Sequence, residues 1–130
     1  MKKLILSFTV VLFCTSCVSH QASKSKTVIL EKNTTNKTIN LKVGESVKVE
    51  AESNPSTGYN WHLEVPSDCS VEFLKEDAKA IYNDGRIGAP IKKIYEFKGT
   101  EKGTCEVEFD YSRAWEGKSN QPKKVKFIVN

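Results

Sequence analysis

Few side chains in this 130-residue chain could do covalent or acid–base chemistry, and their spacing argues against catalysis. There are two histidines. His20 lies in a polar stretch near the N-terminus, and His62 follows Trp61, so strand alternation turns it outward if the tryptophan faces a core. The four cysteines, Cys14, Cys17, Cys69 and Cys105, form no Cys/His grouping suited to a nucleophile. No Ser/His/Asp set, metal-ligand spacing or phosphate-cradling glycine loop accompanies them. The carboxylates alternate with apolar residues, as solvent-facing partners of buried positions do. We expect a protein that is not an enzyme and that carries no cofactor and no metal.

Three short segments offer recognition instead. The first is Asn54-Pro55-Ser56-Thr57-Gly58-Tyr59, shaped by a proline that presets φ and a glycine that permits positive φ. The second is Ile87-Gly88-Ala89-Pro90, and the third is Arg113-Ala114-Trp115. Each alone is an ordinary turn or a surface arginine beside an edge tryptophan. Their order along the chain, and what must hold them, gives them meaning.

The holding elements are strands. Val47-Lys48-Val49-Glu50-Ala51-Glu52 alternates with period two and delivers the first loop; Trp61 to Val65 leaves it, with Trp61 expected between two sheets. Cys105, Val107, Phe109 and Tyr111 share one face of the clearest strand, which runs into Arg113. Val125, Phe127 and Val129 alternate with lysines at the C-terminus. Further short strands are expected at 27–30, 39–43, 71–74 and around Tyr95 and Phe97. Between 75 and 90 the periodicity fails, so a long irregular connection is expected, with at most one helical turn near 77–82. No segment of the folded part shows a convincing helical period. The pattern predicts an all-β, immunoglobulin-like antiparallel β-sandwich of about seven or eight strands. In such a sandwich the loop between the second and third strands and the loop between the last two lie at the same end.

With those motifs in that order, the chain resembles the chagasin-type inhibitors of papain-like cysteine proteases. Members carry an Asn-Pro-Thr-Thr-Gly-aromatic loop, a glycine-rich middle loop and an Arg-Pro-Trp loop. Here Ser56 stands for a threonine, Ile91 for the glycine that follows Gly-Ala-Pro in bacterial relatives, and Ala114 for the proline. The resemblance runs from about Ile39 to the C-terminus. It implies reversible inhibition by occlusion: the first loop wedges into the active-site cleft with Thr57 and the Gly58 backbone nearest the protease cysteine. Segment 87–90 would lie along the cleft wall, Trp115 would stack on an aromatic of the protease, and Arg113 would add polar contacts near that rim. The protein would act as a monomer. The alanine at 114 frees the backbone before Trp115, a loss of pre-organisation of up to about 1 kcal/mol. The alternative is an exported immunoglobulin-like lipoprotein that uses the same loops on a surface protein or glycan without inhibiting anything.

The N-terminus reads as an export signal. Met1-Lys2-Lys3 is followed by an apolar run, 4–13, and by Cys14-Thr15-Ser16-Cys17. The small residues before Cys17 resemble a bacterial lipobox. We therefore expect a lipoprotein-type signal at 1–16, a polar tether at 17–26 and the inhibitor domain at 27–130. Lipid on Cys17 would anchor the protein to a bacterial cell membrane, on its periplasmic or surface face. Ordinary cleavage near Ser16 or Ser19 would leave it secreted. Without Lys2 and Lys3 the formal charge of +4 falls to about +2, which gives no reason to expect a nucleic-acid partner. Cys69 and Cys105 remain as an even pair that an oxidising compartment could bridge; two buried free thiols are the alternative.

Overall fold

The computed structural model describes residues 25–130. The expected signal peptide, most of the expected tether and Cys17, the expected site of lipidation, lie outside the described residues. Eight strands follow in order: β1 Lys26–Leu30, β2 Asn36–Leu41, β3 Ser46–Ser53, β4 Tyr59–Glu64, β5 Val71–Ala80, β6 Ile91–Gly99, β7 Gly103–Arg113 and β8 Lys123–Val129. They form two four-stranded sheets, ordered β1-β3-β6-β5 and β2-β8-β7-β4. The expected sandwich is therefore present. Its pairing is antiparallel except at β1–β3 and β2–β8, which are parallel. The exception follows from the path of the chain. β1, β2, β3 and β4 alternate between the sheets, so β1 and β3 run the same way side by side with β2 opposite them.

Alternation builds the core. In β3, Val47, Val49 and Ala51 are buried and the residues between them face outward. From the other sheet come Val107 and Phe109 of β7 and Val125, Phe127 and Val129 of β8. Phe97 packs 5.0 Å from Phe127, and Tyr95 meets Phe109 edge-on at 5.5 Å, which ties sheet to sheet. Trp61 is 6% exposed, and its indole N–H donates to the Glu52 carbonyl at 3.0 Å, locking β4 to the end of β3. His62, its neighbour, is exposed.

Strand β5 corrects the expected irregular connection at 75–90. It continues to Ala80, leaving a ten-residue loop at 81–90. The periodicity failed because β5 is an edge strand, exposed along nearly its whole length and bulged between Phe73 and Lys75. Backbone bonds to β6 hold it, and those place no demand on side-chain pattern.

Strand directions sort the connections between two poles. Residues 31–35, 54–58, 81–90 and 114–122 lie at one end. Both chain ends of the described segment, and the connections 42–45, 65–70 and 100–102, lie at the other. At that second pole Gly44 donates to the Gly99 carbonyl, Thr100 to Ser70 and Val43 to Asn130. Cys69 and Cys105 are bonded there, with Cα atoms 5.0 Å apart, a span that suits a disulfide. The bridge joins the β4–β5 connection to the start of β7.

Candidate functional site

The loop after β3 is a single 3-10 turn, Pro55–Thr57. Proline at its first position supplies the required φ and needs no partner for an N–H it lacks. Thr57 N–H donates to the Asn54 carbonyl at 3.2 Å, the Thr57 hydroxyl donates to that oxygen at 2.6 Å, and Gly58 N–H donates to Pro55 at 3.0 Å. The Ser56 hydroxyl donates to the Asn54 side-chain oxygen. Gly58 closes the turn at φ +81°, the left-handed region. Pro55, Ser56 and Thr57 are all exposed.

The other two loops are fastened to this turn. The Asn54 side-chain amide donates to the Gly88 carbonyl at 3.3 Å, bringing the 87–90 segment alongside. Arg113, at the end of β7, donates from Nε to the Thr57 carbonyl at 3.1 Å and pairs with Glu116 at 3.1 Å. Its guanidinium lies 4.4 Å over the Tyr59 ring, a cation–π arrangement. Tyr59 stacks on Tyr111 at 5.3 Å, and the Tyr111 hydroxyl accepts the Asn54 N–H at 3.0 Å. The Trp115 indole covers Gly58 so closely that a Cβ built there would lie 2.4 Å from the ring. Residues that are up to 61 positions apart in sequence thus form one tip. From it Ile87 projects fully exposed and Trp115 is 72% exposed.

The family resemblance implies a role for Arg113 toward a partner, and the structure adds one inside the chain, as the brace between the first and third loops. It also reveals groups that the motif reading missed. Asp110 is 5% exposed and accepts hydrogen bonds from Ser112 and Ser119. Burial would raise its pKa, yet the bonds from Ser119 and Ser112, helped by His62, hold it below its ordinary value. Nothing in the alternation could have flagged it, because Asp110 occupies an outward position on β7. It becomes buried only where a loop folds over it. Among the described residues no group of three or more His, Cys, Asp or Glu could hold a metal ion.

Comparison with known proteins decides what such a tip belongs to. The family model described as "Chagasin family peptidase inhibitor I42" matches residues 40–129. The chain belongs to the chagasin family. Members of that family are peptidase inhibitors, not enzymes. This chagasin-family protein is 30% identical over 95 residues to Amoebiasin-2 of Entamoeba histolytica, a match covering 72% of this chain and 76% of that one. Its fold is shared with the cysteine protease inhibitor EhICP2 from Entamoeba histolytica, at TM-score 0.67 and 24% identity over 82% of this chain and 98% of the other. It is shared too with PbICP-C, solved in complex with falcipain-2, at TM-score 0.55 and 22% identity over the same shares.

Proposed function

We propose that this protein is a reversible inhibitor of papain-like cysteine proteases that plugs the active-site cleft with the 54–59 turn, flanked by 87–90 and 113–115. The observation that carries the reading is the joining of three distant loops into one pre-built tip with exposed apolar ends. EhICP2 is a cysteine protease inhibitor and PbICP-C has been captured with falcipain-2, which supports the target class.

The turn itself explains why such a plug would resist cleavage. A protease groove takes its substrate as an extended strand that exchanges main-chain hydrogen bonds with it. Here the carbonyls of Asn54, Pro55 and Thr57 already accept bonds from within the chain, and the backbone is coiled. No extended peptide reaches the thiolate. Because the turn is rigid before contact, little ordering entropy is lost on docking. Trp115 supplies the large exposed aromatic typical of an energetic anchor.

The purified protein should inhibit papain in the submicromolar range, with Trp115→Ala weakening it by about tenfold or more and Thr57→Ala by a comparable factor. Protein that leaves papain and other papain-like enzymes untouched at micromolar concentration would overturn the reading.

We propose further that the protein is exported and held to a membrane through lipid on Cys17. β1 starts at the pole opposite the tip, so an attachment N-terminal to Lys26 leaves the loops facing away from the surface that holds them. Expressed in a bacterium that lipidates exported proteins, the chain should partition with membranes, and Cys17→Ala should release it. Equal partitioning of both forms would refute the anchor.

A further inference from the structure

We propose that Asp110 is a positioning residue for the Trp115 loop: its buried carboxylate latches Ser119 and so fixes the connection that presents the tryptophan. The inference rests on the reading that Trp115 docks, and it adds a residue that lies outside all three motifs.

Three successive outward positions on β7 are Glu108, Asp110 and Ser112. On a bare sandwich they would be wet, yet Asp110 is 5% and Ser112 6% exposed. The cover is the 114–122 connection, which folds back over the outer face of its own sheet. Asp110 accepts the Ser112 hydroxyl at 2.7 Å, the Ser119 N–H at 3.1 and 3.2 Å on its two oxygens, and the Ser119 hydroxyl. Charge-assisted bonds of this kind are the strong ones, and deleting the acceptor strands buried donors. A second fastening lies one residue earlier, where Lys118 meets Glu64 at 3.1 Å and Glu108 at 2.5 Å. On the other side of Trp115 a turn is closed by the Glu116 N–H on the Arg113 carbonyl at 3.0 Å. Trp115 therefore stands on a loop held at both of its ends by the same strand.

Without the latch, a nine-residue connection containing Gly117, Ser119 and Asn120 would sample many conformations and pay their loss on binding. Ala114 sits at the second position of the Arg113–Glu116 turn, where a proline would fix φ, and here it leaves that torsion free. Order in this loop comes from its far side, through Asp110.

The test is Asp110→Asn, which keeps size and removes the charge, read in three ways. Amide exchange at Ser119 should quicken by about tenfold, while amides of Val107 and Phe109 in the same strand hold their protection. Inhibition of papain at 25 °C should weaken by about tenfold with the sandwich still folded, the loss of the charge-assisted bonds lowering Tm by several degrees. Adding Ala114→Pro should restore most of the lost inhibition, because proline fixes the turn by another route and leaves the Glu116 N–H free to close it. If Asp110→Asn does not fold, Ser119→Ala, which removes one donor, should give about a threefold weakening instead. Unchanged Ser119 exchange would overturn the latch. So would full inhibition by Asp110→Asn alongside a weakened Trp115→Ala. Should the wild-type protein fail to inhibit, the docking reading falls, and exchange alone then judges the latch.

Discussion

Replacing Gly58 by valine is expected to raise the inhibition constant by about 100-fold or more while leaving the sandwich folded. Two physical effects coincide at this position. The residue holds φ +81°, which costs an L-residue roughly 1–2 kcal/mol and is a worse outlier for a β-branched one. The added Cβ would also sit 2.4 Å from the Trp115 ring, so the indole must leave its place over the turn. One substitution then distorts the wedge and displaces its flanking anchor. Gly44→Ala is the control. It has a similar φ of +85°, but nothing lies within 4 Å of its missing Cβ and it occupies the opposite pole. It should lower stability slightly and leave inhibition alone. If Gly58→Val inhibits within about threefold of wild type, with Tm preserved, the turn does not act as argued.

Removing the Cys69–Cys105 bridge should lower stability by about 4 kcal/mol, by the loop-closure estimate for a sequence separation of 36. A domain of this size has roughly 5–15 kcal/mol in total, so the loss is a large fraction. Thermal denaturation with and without reductant should show Tm falling by about 15 °C or more. Inhibition at 25 °C should nonetheless survive in the Cys69→Ala/Cys105→Ala double variant. The bridge sits at the start of β7, a full strand away from Arg113 at the other end. A Tm unmoved by reduction would show that the bridge adds no stability. Intact Tm with lost inhibition would instead show that the two poles are coupled.

Much of this architecture was legible in the residues because it depends on local rules. Period-two alternation marked β3, β7 and β8, since each buries one face and wets the other. The outward turn of His62 followed from Trp61 by the same rule. Proline and glycine marked the first loop through the backbone angles they require. Where a strand was not half-buried, alternation had nothing to report. β5, exposed on both faces, shows no alternation beyond Leu74 although it runs to Ala80. The parallel pairs were equally invisible, because strand direction within a sheet depends on which sheet each neighbour joins.

By itself, then, the order of residues pointed to a small all-β domain of the chagasin type and singled out the three loops proposed to carry its recognition chemistry. Those conclusions depend on side-chain type and short spacing, which the chain carries in one dimension. Only the tertiary structure decided that the loops are bonded to one another, that Cys69 and Cys105 are close enough to bridge, and that Asp110 is buried. Each of these is a distance between residues far apart in sequence, and such distances exist only once the two sheets have closed on their shared core.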